Sequence, residues 1–300
     1  MQELSYDFTN AKFNIGQLII SVEIFSYENV YYLDPESTDY QVNTHAEIIS
    51  CNSFTWAGGQ EIIPGNARID IQKEDDVYRI SIQVNIQKKI RCIKLIVENL
   101  PNGDIINLRS KKLSKIPDEG IILHYPEGWR ELSTPLLMIE TAESSHYYLR
   151  STDNKVREKR MVIRPKSNTL TVELIWEEDA TKQLNYCSVP YWEVGFYTSA
   201  EKIFETQKKH IEEPFKLQKW ENRADVPQWA RHISLVVALH LQHYTGYIFN
   251  DYKTAEKVVK WFANHHPVDQ TIFYLPGWEG RYYWQYGDYR PDKRMGNTEG

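Results

Sequence analysis

The densest group of residues that could bind a ligand lies near the carboxyl terminus. Eight of the twenty positions from Thr271 to Arg290 are aromatic, whereas aromatic residues make up 13% of the chain. They are Phe273, Tyr274, Trp278, Tyr282, Tyr283, Trp284, Tyr286 and Tyr289. Glycine, proline and charged residues interrupt them and would break the packing of an ordinary core segment. Flat rings among hydrogen-bonding groups suit a ligand with apolar faces and many hydroxyl groups, which is the chemistry of a sugar.

The acidic residues of the loop from Gly277 to Tyr289 are Glu279 and Asp288. An ionised carboxylate is a strong hydrogen-bond acceptor and could bind sugar hydroxyl groups. The same two carboxylates could instead form ion pairs with Arg281 and Arg290. Direct catalysis is a third alternative. Glycosidic cleavage generally needs two carboxyl groups, about 5–5.5 Å apart for retention or about 6.5–9.5 Å apart for inversion.

The rings of Trp278, Tyr282 and Trp284 could stack on a pyranose, although some of them could instead pack the loop against the rest of the protein. Two histidines, His240 and His243, precede this loop at the end of a predicted strand. Positions three apart on a strand point to opposite faces, so we expect hydrogen-bonding or core histidines and no metal. The predicted sugar-binding residues are Trp278, Glu279, Arg281, Tyr282, Trp284, Asp288, His240 and His243.

The first part of the chain, residues 1–198, is predicted to be an antiparallel β-sandwich. Apolar and polar residues alternate from Tyr78 to Ile86, and a period of two is typical of a half-buried strand. About ten strand-like runs follow one another, with turn signals between them and almost no helical pattern. Four residues could line a concave face of this sandwich, or simply pack or lie at its surface: His124, Trp129, His146 and Asp153.

A helix and a linker are predicted to follow over residues 199–226. Ser199 can cap a helix that continues to His210, with Ile203 and Phe204 facing inward. The sequence pattern before this region is that of strands, and the pattern after it contains both strands and a helix.

Residues 227–300 have the pattern of a strand, a helix and a second strand. Ile233 to Leu241 is an almost continuous apolar run, as in a strand buried on both faces. Asn250 or Asp251 can cap a helix, and Thr271 to Leu275 is typical of a second strand. The inner face of the helix is predicted to consist of Ala255, Val258, Val259 and Phe262. Such a unit predicts two parallel strands.

A lone strand–helix–strand unit cannot bury both faces of its strands. A (β/α)8 barrel would bury them, but it takes about 250 residues, and 76 remain from Asp225 to Gly300. We therefore expect residues 227–300 to be the first βαβ unit of an incomplete TIM barrel, whose unpaired edge could associate with a second copy. A small self-contained α/β appendage is the alternative. Because barrel chemistry lies at the carboxyl ends of strands, the aromatic loop would share one mouth with His240 and His243.

Composition limits the other classes of function. The net charge is −6 and no long basic run is present, which disfavours nucleic-acid binding. No apolar run approaches about 18 residues and no secretory signal is visible, so no membrane association is predicted. The three cysteines are odd in number and far apart, which favours a cytoplasmic location without disulfides. Nucleotide-binding and serine-hydrolase motifs are missing, so no cofactor is predicted.

Four short motifs resemble one known family. They are Asp225-Val226-Pro227-x-Trp229, Tyr244-Thr245-Gly246, Tyr274-Leu275-Pro276-Gly277-Trp278-Glu279-Gly280-Arg281-Tyr282-Tyr283-Trp284 and Tyr289-x-Pro291. The family is an uncharacterised bacterial one of glycoside-hydrolase-like proteins, whose architecture resembles that of retaining α-galactosidases and endo-α-N-acetylgalactosaminidases. The resemblance implies a galactose-mutarotase-like supersandwich followed by a catalytic (β/α)8 barrel acting on α-linked or galactose-type glycosides. Over residues 1–198 it extends only to the architecture.

Two positions depart from the family pattern, since Tyr244 stands where tryptophan is expected and Asn297 where glycine is expected. The resemblance implies that the nucleophile and the acid/base carboxylate lie on later barrel strands, beyond Gly300. We therefore expect carbohydrate recognition by the aromatic loop, no catalytic residue within residues 1–300, and no turnover. The alternative is a non-catalytic carbohydrate-binding or interaction protein built on the β-sandwich.

Overall fold

The computed structural model describes residues 4–43, 46–106, 108–109, 112–126, 132–142, 146–279 and 289–296. The chain divides into two compact units, which we call the sandwich unit (Met1–Lys216) and the second unit (Leu217–Gly300). Strands dominate the sandwich unit, and the second unit mixes short strands with one helix.

Sixteen strands form one antiparallel sheet in the described part of the sandwich unit. They are β1 (Leu4–Asp7), β2 (Lys12–Ile15), β3 (Leu18–Ser26), β4 (Val30–Leu33), β5 (Thr38–Val42), β6 (Glu47–Trp56), β7 (Glu61–Glu74), β8 (Val77–Ile86), β9 (Ile90–Pro101), β10 (Gly103–Ile105), β11 (Ile121–Tyr125), β12 (Leu136–Thr141), β13 (His146–Ser151), β14 (Lys159–Lys166), β15 (Thr169–Glu177) and β16 (Tyr186–Tyr197). The order is β10-β12-β13-β16-β8-β7-β6-β4-β3-β9-β15-β14-β11, with β1, β2 and β5 attached at the side. The prediction of a mainly antiparallel β fold is thereby confirmed.

The core of the sandwich unit collects the inward-facing residues of this sheet. On β8 the alternate residues are almost fully buried, and they are Tyr78, Ile80, Ile82, Val84 and Ile86. Strands far apart in the order contribute to the same cluster, as Leu149 on β13 and Leu174 on β15 do. The sheet therefore folds over into two layers, and each large apolar side chain between them contributes about 1.5–3 kcal/mol through burial.

Strand β16 lies in the middle of the sheet although its sequence did not predict it. It contains Pro190, which has no N–H to donate to a neighbouring strand. The register between β16 and β8 shifts between Val189 and Trp192, so the proline falls at an irregularity where the ladder is already interrupted. A bulge thus allows a proline-containing segment to serve as a central strand.

Helix α1 (Ala200–Glu212) begins after Ser199, as predicted, but the prediction for its inner face was partly wrong. Phe204 is exposed, and Gln207 is buried in its place. Gln207 lies four residues after Ile203 and so shares its side of the helix, whereas Phe204 points away by about 100°. The Gln207 side chain accepts a hydrogen bond from Arg150 at 3.3 Å, so a polar contact sets the orientation of the helix.

The second unit contains β17 (Leu235–Ala238), helix α2 (Tyr252–Ala263) and β18 (Thr271–Tyr274). The two strands are parallel, which confirms the predicted βαβ unit. Asp251 caps α2 by accepting the N–H of Thr254 at 2.7 Å. Ala255 is buried on the inner side of the helix, as predicted. Among the described residues neither helix, at 13 and 12 residues, combines the length and hydrophobicity that crossing a bilayer requires.

The predicted burial of the first strand on both faces was wrong. Val236 exposes 63% of its surface, and exposed and half-buried residues alternate along β17. Val237 pairs with Phe273, whose ring meets Phe262 of α2 at a centroid distance of 5.4 Å. Helix α2 therefore covers one face of the small sheet. On the opposite face, which includes Val236 and Tyr274, no described element of this unit provides an equivalent cover.

Val236 and Val237 provide a matched test of this one-sided sheet. We expect Val237→Thr to lower the free energy of unfolding by about 1 kcal/mol, because it places a hydroxyl on the face that α2 covers. Val236→Thr should change it by less than about 0.5 kcal/mol, because this side chain already faces solvent. Urea denaturation followed by circular dichroism measures both. Equal losses would show that both faces of the strand are buried.

Candidate functional site

The loops that follow the two parallel strands lie side by side. We call them the β17 loop (residues 239–250) and the β18 loop (residues 275–279). Leu239 N–H donates to Tyr274 O at 2.9 Å, and Leu241 N–H donates to Pro276 O at 2.9 Å. The parallel pairing thus continues past the ends of the strands and joins the backbones of the two loops. In open and closed α/β folds, this carboxyl edge is where ligands bind.

Gly277 allows the two loops to approach so closely. Its φ is +80°, and a Cβ at this position would lie 2.6 Å from Gln242 O and 2.8 Å from Gln242 N. Both the left-handed conformation and the lack of space exclude other residues without a shift of the backbone. Trp278 and Glu279 follow directly, so this contact determines where they begin.

Trp278 is half-buried and held by its backbone as well as its ring. The ring packs against a small cluster that contains Leu241, Ala255 and Met295. Its carbonyl oxygen accepts a hydrogen bond from the Tyr252 hydroxyl at 2.5 Å, and that hydroxyl accepts the N–H of Asp292 at 2.8 Å. Burial raises the pKa of Tyr252, so the hydroxyl stays protonated and remains a donor.

Glu279 closes the base of the aromatic loop. Its Oε2 accepts the backbone N–H of Tyr289 at 3.2 Å, which joins the two described ends of the segment. This contact differs from both sugar binding and pairing with an arginine, the two main roles that the sequence left open for Glu279. Four of the predicted sugar-binding residues lie outside the described residues, namely Arg281, Tyr282, Trp284 and Asp288.

The two histidines lie in the β17 loop and not at a strand end, because β17 stops at Ala238. The His240 side chain is exposed, and its carbonyl oxygen accepts a hydrogen bond from Asn250 Nδ2 at 2.7 Å. His243 is half-buried, with Nδ1 2.8 Å from Thr245 Oγ1. Because the two histidines do not lie on a strand, the alternation of strand faces does not determine where their side chains point. No cluster of three or more His, Cys, Asp or Glu side chains suited to a metal occurs in the part of the chain that the structure describes.

The β17 loop also presents an aromatic cluster that the sequence analysis missed. Tyr244, Tyr247 and Phe249 each expose half or more of their surface. Tyr247 and Phe249 form an edge-to-face pair at 5.2 Å, and the His243 ring lies 4.2 Å from Tyr244. The tight turn is held by His243 N–H donating to Tyr247 O at 2.8 Å and by the left-handed Gly246. The signal in the sequence was three aromatic residues around one glycine, directly after a predicted strand.

The polar residues considered in the sandwich unit belong to separate contacts. His124 Nδ1 lies 3.3 Å from Glu158, and the carboxylate of Asp153 pairs with Lys159 at 3.0 Å. Lys159 is buried, and burial lowers the pKa of its ammonium group. His146 accepts the backbone N–H of Thr141 at 3.2 Å. Trp129 lies outside the described residues.

No protein-family model matches the sequence, and no curated protein sequence is significantly similar to it. The fold is nevertheless similar to that of a solved glycoside hydrolase. The complex of the α-N-acetylgalactosaminidase NagBb from Bifidobacterium bifidum with GalNAc matches with a TM-score of 0.63 at 10% sequence identity, covering 99% of this chain and 55% of that one. This chain therefore spans about half the length of that enzyme.

Two further structures match at lower scores. The α-galactosidase AgaA from Geobacillus stearothermophilus has a TM-score of 0.41 at 11% identity, covering 92% of this chain and 42% of that one. A galactose mutarotase related enzyme from Lactobacillus acidophilus has a TM-score of 0.39 at 9% identity, covering 66% of this chain and 95% of that one. These scores are too low to bear on the site. The glycoside-hydrolase-like architecture is confirmed by the NagBb match, at the level of the fold alone.

Substitutions at two glycines of the second unit distinguish the effect of the close contact from the effect of a positive φ. We expect Gly277→Ala to destabilise the protein by more than about 2 kcal/mol, because the new Cβ would overlap the Gln242 backbone. Gly246→Ala should cost about 1 kcal/mol, because its φ is also positive but the nearest atom, Arg294 Nη1, lies 3.7 Å away. Urea denaturation compares the two. A loss at Gly277 no larger than that at Gly246 would contradict the proposed role of the close contact.

Proposed function

We propose that this is a glycoside-hydrolase-related protein that binds carbohydrate at the carboxyl edge of β17 and β18. The observation that carries the proposal is the joining of two loops that both display aromatic rings, Trp278 on one and Tyr244, Tyr247 and Phe249 on the other. Exposed rings held by a rigid backbone offer stacking surfaces to a pyranose at little entropic cost. Glu279 and the neighbouring histidines supply the polar groups that orient hydroxyls.

The part of the aromatic loop at residues 280–288 is included in this proposal on sequence grounds. Tyr282 and Trp284 would add stacking surfaces, while Arg281 and Asp288 would add a donor and an acceptor. Because Glu279 also holds Tyr289, a ligand that bonds to this carboxylate would act on the base of the loop.

We further propose that the second unit is the opening of a (β/α)8 barrel. In such a barrel the helices lie outside and the opposite face of each strand faces the closed interior. Helix α2 already covers the face with Val237, so the exposed face with Val236 and Tyr274 corresponds to the interior. The similarity to NagBb, of which this chain spans 55%, supports the assignment. The occupants of that face would be further βα units or, failing these, a second copy at the unpaired edge.

Trp278 and Trp261 form a matched pair for testing recognition. We expect Trp278→Ala to weaken binding of galactose- or N-acetylgalactosamine-containing oligosaccharides at the carboxyl edge at least about tenfold, through the loss of one stacking surface. Trp261→Ala should leave the affinity unchanged, because that exposed ring lies on α2 and stacks on His265. Titration followed by tryptophan fluorescence measures both variants. Binding that is insensitive to Trp278 would contradict the proposed site.

We expect residues 1–300 alone not to hydrolyse glycosides. Cleavage needs two suitably spaced carboxyl groups, and Glu279 is the only carboxylate that the described residues supply within the β17 and β18 loops. Glu279 is moreover engaged with the Tyr289 backbone. A panel of aryl α- and β-glycosides, followed by release of the coloured phenol, tests this expectation. Turnover that is lost in Glu279→Gln would show that the catalytic residues lie within this chain.

A further inference from the structure

Helix α1 contacts the sheet of the sandwich unit through buried polar side chains. Gln207 of the helix is 4% exposed, and its side chain accepts a hydrogen bond from Arg150 Nη1 on β13 at 3.3 Å. Arg150 Nε in turn donates to Glu193 Oε2 on β16 at 2.8 Å. Both members of this ion pair are at least 95% buried. The docking of α1 therefore depends on a charged group that water does not reach.

His210 lies on the same side of α1 as Gln207, three residues further along the helix. The residue is half-buried, and its Nε2 atom is buried without a hydrogen-bond partner among the described residues. A neutral imidazole has one donor and one acceptor nitrogen, whereas the protonated ring has two donors. Protonation would therefore place a charged N–H in a buried position where these residues provide no acceptor, which is unfavourable.

The charged groups that surround His210 come from the strands beneath the helix. Burial lowers the pKa of His210 below its ordinary value of 6.5, and the positive charge of Arg150 lowers it further. Glu193 on β16, the backbone of Thr152 and the carboxylate of Asp153 act in the opposite direction without reversing the shift. His210 is therefore mainly neutral at pH 7 while α1 is docked.

The two carboxylates near His210 are already engaged with other cations. A charge on His210 would have to compete for them, and it would repel Arg150, which also holds Gln207. Breaking a buried ion pair leaves an uncompensated charge and is strongly destabilising. Each carboxylate pairs with two cationic side chains, namely Glu193 with Arg79 and Arg150, and Asp153 with Arg157 and Lys159.

We propose that His210 makes the docking of α1 on the sheet sensitive to pH. While the ring is neutral, the contact between Gln207 and Arg150 holds the helix against β13. In mild acid the ring takes up a proton, its charge repels Arg150, and the carboxyl-terminal half of α1 separates from the strands. This switch lies within the sandwich unit, so it does not depend on the carbohydrate site proposed above.

The direction of the effect follows from which form of the helix binds more protons. A detached α1 exposes His210 to water, where its pKa returns towards the ordinary value of 6.5, whereas docking lowers the pKa. The detached form therefore binds more protons in mild acid, and the stability of the docked form rises with pH. The contribution of neutral His210 is fully present above about pH 6.5 and decreases as the pH falls below that value.

Hydrogen–deuterium exchange of the intact chain at pH 7.5 and pH 5.5, followed by mass spectrometry, measures the docking of α1. After correction for the intrinsic pH dependence of amide exchange, the protection of residues 203–212 is expected to be about threefold or more lower at pH 5.5. Peptides from β8 should keep their protection, because that strand lies in the middle of the sheet. Equal protection of α1 at the two pH values would overturn the proposal.

His210→Gln and His124→Gln are matched variants for this measurement. Glutamine stays neutral, so His210→Gln is expected to give the same protection of α1 at both pH values. His124 belongs to the same unit, but its side chain is 43% exposed and lies on β11. His124→Gln should therefore retain the loss of protection in acid. An undiminished loss in His210→Gln would assign the pH dependence to another group and would also overturn the proposal.

A permanent charge at position 210 tests the same mechanism without a change of pH. Arginine is always protonated, so His210→Arg is expected to lower the protection of α1 at pH 7.5 about threefold or more. His210→Met, a neutral side chain that is also long and flexible, controls for the change of size and should lower it less. Equal protection in the arginine and methionine variants would contradict a role for the charge.

Discussion

The close approach of Gly277 to the backbone of Gln242 is the constraint on which the candidate site of the second unit depends. Two loops can lie this near to each other only if one of them has no side chain at the contact. The hydrogen bond from Leu241 N–H to Pro276 O then joins them just beyond the strands. This arrangement determines the position of Trp278, since one peptide bond separates it from the glycine. The site is therefore built from backbone geometry first and from side-chain chemistry second.

In the sandwich unit, polar contacts determine which side of helix α1 faces the sheet. Arg150 is buried and lies between Glu193, at 2.5 Å, and Gln207, at 3.3 Å. An unpaired charge at this position would be strongly destabilising, so the three groups must assemble together. This pairing explains why a glutamine, and not the nearby Phe204, faces inward. Among the residues that the structure describes, the buried hydroxyl of Tyr197 finds no hydrogen-bond partner, which departs from the rule that such groups are paired.

Local pattern predicted much of the fold, and it failed where tertiary contacts decide. Alternation along Tyr78–Ile86 was sufficient for β8, because one face of that strand is buried and the other is not. Strand β16 was missed, because Pro190 argues against a central strand unless a bulge is known to receive it. Val236 was expected to be buried but is exposed. An apolar run does not reveal which faces of a strand have a neighbouring element to cover them. For the site, the sequence indicated Trp278. It did not indicate Tyr252, whose hydroxyl holds the Trp278 carbonyl, because this residue lies in a helix 26 residues earlier and no local pattern points to the contact.

The half-buried state of Trp278 shows that packing within the protein and stacking on a sugar do not exclude each other. Stacking on a sugar and packing within the protein were alternatives while only the sequence was considered. In the structure Trp278 packs against the cluster that contains Leu241 and Ala255, and the residue keeps part of its surface accessible. A ring that is fixed on one side loses little freedom when a ligand covers the other, so the packing favours recognition. The same reasoning applies to Glu279, whose bond to Tyr289 holds the carboxylate in place before any hydroxyl arrives. Preorganisation of this kind, more than the number of aromatic residues, is the physical argument for a binding site at this edge.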